Sequence, residues 1–458
     1  MKKIAYALMV LAVLVLAGCG GGDKPNPNGS SMPDSDDAVF CDEGDEGVGE
    51  SADGPETVPA GPDDPVAAVS TYAGEQFGYG YINTSGKWVI TPQYMEAYPF
   101  VDSVATVLTW DGVWRLIDKG NTIIAEFPAD IIVEYDAEQD LHGFTSYHKA
   151  ISEDRIIISK DSDSGDLYGV ADTAGHIIVE PQYERIYPYS EGLAVVNLGD
   201  YEDYTGHYAY MDREGDIVID GGFSYAFPFH EGRAWINIDP NYWDTSPYQY
   251  GGFIDNQGNL VIGYTQVPAG NGVAYVGYYG FYSNFYRGIA AARVAWADTS
   301  FTAYDKTDWC LGIIDVEGNV LKTMHGYGDD RSDLSVHHME YSEGLCPIYG
   351  YYDATLGVFP VGFMDTVGDI VIEPQTEWDL ADSIFSEGYC AVVKDDQYGY
   401  IDTSGAWAIP AQFKKAGDFT YGYAAVQDDE LIYHYIDTDG NIVFSDLGEL
   451  YGAEPFTK

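Results

Sequence analysis

Tyr398-Gly399-Tyr400-Ile401-Asp402-Thr403-Ser404-Gly405-Ala406-Trp407-Ala408-Ile409 decides the fold, because nearly everything after residue 76 reads as a variation on it. Tyr398, Tyr400 and Asp402 alternate with Gly399 and Ile401 at the two-residue period of a strand, and Trp407 and Ile409 repeat that period in a return strand. Between them lies Asp-x-x-Gly. The Asp402 carboxylate is placed to accept backbone N–H bonds just ahead of it, and Gly405 supplies the positive φ that reverses the chain. The stretch is a β-hairpin.

The hairpin recurs nine times, with turn pairs Asn83/Gly86, Asp118/Gly120, Asp172/Gly175, Asp212/Gly215, Asp255/Gly258, Asp315/Gly318, Asp365/Gly368, Asp402/Gly405 and Asp437/Gly440. The second pair reads as one residue short. Between hairpins runs a second element, clearest as Tyr189-Ser190-Glu191-Gly192-Leu193-Ala194 and Phe385-Ser386-Glu387-Gly388-Tyr389-Cys390. Its leading aromatic is Phe100, Tyr147, Tyr189, Phe229, Phe285, Tyr341, Phe385 and Phe419 in turn, and the small residue five positions on is Ala105, Ser152, Ala194, Ala234, Ala290, Cys346, Cys390 and Ala424. One unit is therefore an aromatic corner, a strand with a small residue and the hairpin, three strands in all. Pro-Gln-aromatic, as in Pro92-Gln93-Tyr94 and Pro181-Gln182-Tyr183, closes some units, where proline ends the return strand because it cannot donate to the ladder.

In this pattern the chain resembles the WG-repeat (KWG-repeat) proteins of bacteria, whose unit carries Trp-Gly before an aromatic-aliphatic-Asp strand end, then a turn Gly and an apolar strand. Here the pair is mostly Tyr-Gly (Tyr79-Gly80, Tyr168-Gly169, Tyr398-Gly399), with Tyr208-Ala209, Leu311-Gly312 and Val361-Gly362 as variants. The resemblance implies an all-β repeat body, often exported, with no general enzymatic activity.

Both faces of the first hairpin strand are apolar, as at Tyr400/Ile401 and Phe363/Met364, so neighbouring units must cover one another. Such stacking gives a curved open array or a propeller-like ring. The open array is the first expectation, since Phe77 starts directly at a hairpin and the polar tail after Phe444 offers no strand to complete a split unit.

With 40 Tyr and 53 Gly among 458 residues, strand and turn formers dominate. The formal charge of −53 repels nucleic acid and anionic membranes, which excludes nucleic-acid binding and favours cationic partners. Lys2 and Lys3, the apolar run Ile4 to Leu16 and Leu16-Ala17-Gly18-Cys19 form an export signal, residues 1–18, whose end resembles the lipobox of bacterial lipoproteins. That resemblance implies cleavage before Cys19, lipid attached to its sulfur, and a protein anchored at the cell membrane or surface, facing outside the cytoplasm. Residues 19–70 read as a disordered acidic tether, 71–447 as the repeat domain and 448–458 as a tail.

Cys346 and Cys390 stand where other units have Ala, pointing to buried small side chains. Asp161, Asp163 and Asp166 have the alternating spacing of a Ca²⁺ loop, without its closing Glu, and read as an acidic hairpin tip. His325, His337 and His338 lack metal-ligand spacing. The aromatic insertion carrying Tyr242, Trp243, Tyr248 and Tyr250 suits stacking on sugars or peptide side chains. No nucleophile elbow, zinc-protease motif or phosphate loop is present in the sequence. The expectation is a non-enzymatic binding or scaffold module for proteins, peptides or glycans, without cofactor, with a carbohydrate-active enzyme or a structural spacer as alternatives.

Overall fold

The computed structural model describes residues 57–73, 76–134, 151–163, 165–199, 207–237, 251–262, 267–269, 272–274, 283–295, 309–324, 341–350, 359–381 and 383–458. All fall in one compact unit, Gly54–Lys458. Nine small antiparallel sheets make up a β-propeller, each built around one of the nine turns, and the blades are numbered 1 to 9 by those turns in chain order. A separate two-stranded ribbon, Val267–Ala269 with Gly272–Ala274, follows blade 5.

In blade 8 the hairpin is Gln397–Asp402 paired with Trp407–Phe413, as the alternation requires. Asp402 Oδ1 accepts from Ser404 N at 2.8 Å and Ala406 N at 3.2 Å, and Gly405 has φ 83°. Blade 2 shows that its turn is not shortened. Asn121, φ 64°, takes the glycine's place and donates its N–H to the Asp118 carbonyl at 2.9 Å, the same bond Gly405 makes to Asp402. Asn tolerates the left-handed region better than other side chains, so a turn that looked one residue short has full length.

In seven of the nine blades, all but 6 and 7, the described strands include an added one of two residues. In blade 4 it is Arg185–Ile186, ahead of Leu193–Asn197, Tyr208–Asp212 and Ile217–Phe223. A strand that short has no legible period.

The Tyr-Gly pair has a local steric cause. Beyond Ile409 the return strand bulges, the register moving from Tyr400↔Ile409 to Tyr398↔Phe413, and the bulge folds over the face of the hairpin strand at Gly399. A Cβ on Gly399 would lie 2.6 Å from both Ile409 O and Ala411 N, and at Gly80, Gly169 and Gly362 the corresponding carbonyl would be 2.4 Å away. Backbone fills the space, so no side chain fits. The approaching backbone belongs to the same unit.

Covering of the apolar strand faces happens between blades. Tyr400 and Ile401 are both fully buried. Tyr400 and Ile409 of blade 8 pack with Phe419, Ala424, Val426 and Ile436 of blade 9, while Ile401 packs with Phe363 and Ile372 of blade 7. The Tyr400 hydroxyl also donates to Gly417 O of blade 9 at 2.8 Å, as Tyr81 donates to Tyr98 O and Tyr210 to Phe227 O.

The same contacts run from blade 9 to blade 1, so the open array is corrected to a closed ring. Gly452–Ala453 supplies the fourth strand of blade 1, pairing Val69↔Ala453 and Ser70↔Gly452 in the order Trp88–Tyr94, Gln76–Asn83, Val66–Ala73, Gly452–Ala453. Tyr435 of blade 9 donates to Glu454 O at 2.6 Å, repeating the blade-to-blade bond of Tyr400. Phe456, 1% exposed, is the ninth leading aromatic, and the Val66↔Thr457 bridge matches Ser190↔Leu193 of blade 4. The ninth connector is thus split between the two ends of the body: Phe456 and Thr457 begin it, Val66 and the fully buried Ala67 continue it. The body consequently starts before residue 71, with Val66–Ser70 buried inside the expected tether, and the expected tail 448–458 belongs to it. Short Val-Ala-Ala-Val and Gly-Ala segments flanked by acids and prolines hide a strand pair that only distant chain ends form.

Two outcomes follow. Gly399→Ala must displace backbone, whereas Gly388→Ala meets nothing within 4 Å and carries only the left-handed penalty of about 1 kcal/mol; chemical denaturation should show the first as clearly the more destabilising. Phe456→Ala should cost about 3–5 kcal/mol, the usual cost of emptying a buried Phe site, despite lying two residues from Lys458.

Candidate functional site

Several sequence candidates lie outside the described residues: Cys19, Tyr147, Tyr242, Trp243, Tyr248, Tyr250, His325, His337 and His338. Asp161 and Asp166 face each other across the Arg155–Ser162/Gly165–Asp172 hairpin, with Asp163 exposed at its tip. Among the described residues no three His, Cys, Asp or Glu side chains are grouped to hold a metal ion, and no helix is long and apolar enough to cross a membrane. Cys346 and Cys390 are free thiols with no exposure, as their exchange with Ala suggests. Burial pushes the Cys390 thiol up to about 12, so it is unreactive at neutral pH.

What the structure does assemble is a ladder of corners. Ser190, Glu191, Gly192 and Leu193 form a tight turn in which Glu191 and Gly192 both have positive φ, 55° and 82°. Glu231, Arg287, Glu343 and Glu387 take the same strained position in blades 5, 6, 7 and 8. A glycine would sit there with less strain, and the carboxylate explains why Glu recurs. Glu153 accepts from Glu191 N and Gly192 N, both at 2.7 Å; Glu191 from Glu231 N and Gly232 N; Glu231 from Arg287 N and Gly288 N; Glu343 from Gly388 N; Glu387 from Tyr421 N and Gly422 N. Each carboxylate thus reaches into the corner of the following blade and accepts charge-assisted bonds from its N–H groups, two in every case but Glu343. Beside it, Ser190, Ser342 and Ser386 donate to the carbonyls of Phe229, Phe385 and Phe419, again one blade on. The Ser-Glu-Gly repetition is visible in the sequence, but its partners lie 33 to 57 residues away and only the ring brings them together.

One further polar contact joins blades 8 and 9. Ser383 donates to Asp418 Oδ1 at 2.6 Å and accepts from Ala391 N at 3.2 Å. Desolvation pushes the Asp418 carboxyl above the ordinary carboxylate range, with the Ser383 hydroxyl opposing it. Other units place Pro99, Pro188 or Pro228 at this position before the leading aromatic, so a lone Asp gave no repeating signal.

A raised folded-state carboxyl favours folding below its unfolded value and loses that contribution as pH rises through the folded value, so at neutral pH Asp418 works against stability. Asp418→Asn should therefore raise Tm at pH 7, with the advantage shrinking toward pH 4, read from melts across that range. Glu387→Gln leaves one oxygen for two N–H groups and should cost about 1 kcal/mol in denaturant unfolding.

The family model described as "WG containing repeat" matches residues 79–114, 168–201, 208–243, 362–398 and 398–431. No curated protein matches the chain. Among solved structures the chain is similar to AztD of Citrobacter koseri (11% identity, 86% of this chain and 98% of that one, TM-score 0.38). It is also similar to BamB of Moraxella catarrhalis (11%, 76% and 86%, TM-score 0.29) and to the β-propeller domain of the Trilobed protease of Pyrococcus furiosus (9%, 64% and 94%, TM-score 0.36). Likenesses this distant say nothing about activity. The five matches fall on blades 1 to 5 and 7 to 9, on the Tyr-Gly strands and corners derived above: the propeller carries WG-type repeats in these five places.

Proposed function

We propose that the protein is exported, lipid-anchored through Cys19 with its body outside the cytoplasm, and that the propeller is a non-enzymatic binding or scaffold module for proteins, peptides or glycans. The observation that carries this reading is where the repeats differ. The sheets are near copies, but the connection from the second to the third strand of a blade is two residues in blade 8, between Tyr389–Lys394 and Gln397–Asp402, and 13 in blade 5, between Ala234–Asn237 and Gly251–Ile254. Equivalent connections leave equivalent sheet ends, and the long ones belong to the consecutive blades 4, 5, 6 and 7. A uniform scaffold whose second-to-third-strand connections are longest in neighbouring blades fits the division of labour of a recognition protein. The blade 5 connection carries Tyr242, Trp243, Tyr248 and Tyr250, aromatic faces beside Asp and Asn that suit a sugar ring or a peptide side chain.

The mature full-length protein, probed on glycan and peptide arrays, should bind a ligand that Trp243→Ala loses by at least about tenfold. Unchanged binding would remove Trp243 from the site, and turnover of a polysaccharide would favour the carbohydrate-active enzyme. Metabolic labelling with a fatty acid should mark the wild type and not Cys19→Ala.

A further inference from the structure

The corner ladder has one joint with inverted charge. At five joints a Glu carboxylate meets the N–H groups of the next blade's turn. Blade 6 holds Arg287 in that place, with the same backbone conformation, φ 52° followed by Gly288 at 82°. By the pattern of the other joints, the N–H groups that correspond to it are those of Glu343 and Gly344 in blade 7, and these donate to no acceptor among the described residues. The Arg287 guanidinium packs over the Tyr286 ring, its Cζ 5.0 Å from the centroid, and Tyr286 in turn stacks on Tyr341, which leads into the blade 7 corner, at 5.7 Å and 17°.

We propose that the joint between blades 6 and 7 binds a carboxylate from a partner, held by the Glu343 and Gly344 N–H groups and the Arg287 guanidinium. The protein itself shows the chemistry. Four internal carboxylates fit the equivalent position as a planar two-oxygen group against two donors, a fifth, Glu343, meets one, and a guanidinium adds the cation such a group prefers. Capture of a carboxylate by paired backbone N–H groups is an established mode of peptide recognition. The acidic surface does not forbid it. Glu153, Glu191 and Glu231 already occupy consecutive joints, and more distant charges are screened beyond about 8 Å at physiological salt. The same field disfavours a doubly charged phosphate. The partner's group is the carboxyl terminus of a peptide or an Asp or Glu side chain. The proposal makes no use of Trp243, so either reading can fail without the other.

Calorimetric titration of the full-length protein tests it with three probes: an N-acetylated dipeptide with a free carboxyl terminus, its C-terminal amide, and N-acetyl-aspartyl amide. Binding of either carboxylate probe in the millimolar range, weakened by salt, with the uncharged amide silent, is the expected result; which one binds tighter identifies the source. Arg287→Ala should weaken binding at least about tenfold with Tm unchanged. Arg287→Glu should abolish binding and raise Tm, because its side chain completes the ladder. Equal binding of acid and amide, no binding at tens of millimolar, or binding that survives Arg287→Glu would overturn the proposal, and a Tm that does not rise in Arg287→Glu would overturn the equivalence of the joints.

Discussion

A strand that is apolar on both faces needs cover on both sides, and no single sheet of this protein can provide it. Tyr400 and Ile401 leave opposite faces of one strand, and one meets blade 9 while the other meets blade 7. Repeated nine times, that requirement leaves no acceptable end: the first and last sheets would each expose an apolar face. Closing the ring removes both ends at once, and it is done with few residues, Gly452–Ala453 beside Val66–Ala73 and Phe456 beneath Tyr435.

Polar groups follow the same blade-to-blade direction. Tyr hydroxyls donate to the next blade's carbonyls, and Ser hydroxyls and Glu carboxylates join corner to corner. Each bond is individually modest, but all share one geometry, so together they set the angle at which blades meet. The strained Glu residues at the corners are tolerated because their side chains, not their backbones, contribute the bond. Where one link departs from the pattern, as at Arg287 or Asp418, the ring holds while the local chemistry changes.

Much of this was legible in the residues. The nine hairpins, the aromatic corners, the small buried residues including Cys346 and Cys390, and the need for mutual cover all follow from local period and turn chemistry. What could not be read was whatever depends on residues far apart in the chain. The partner strand of Val66–Ala73 lies at the other end of the body and is two residues long, so ring closure left no local pattern. Asn121 passed for a missing residue because a left-handed Asn looks like any other in sequence. The corner carboxylates were visible as a motif and silent as to partner. The aromatic insertion and Cys19 lie outside the described residues, and their roles rest on chemistry alone.

The central claim is that the two ends of the body form one sheet. Val69→Cys combined with Ala453→Cys places two thiols on directly paired strand positions, within reach of a disulfide. Mild oxidation of the folded protein should give a quantitative intramolecular cross-link, detected by mass spectrometry and by faster migration on non-reducing gels. A body whose ends stay apart would give no cross-link, or only links between molecules, and that result would contradict the closed ring.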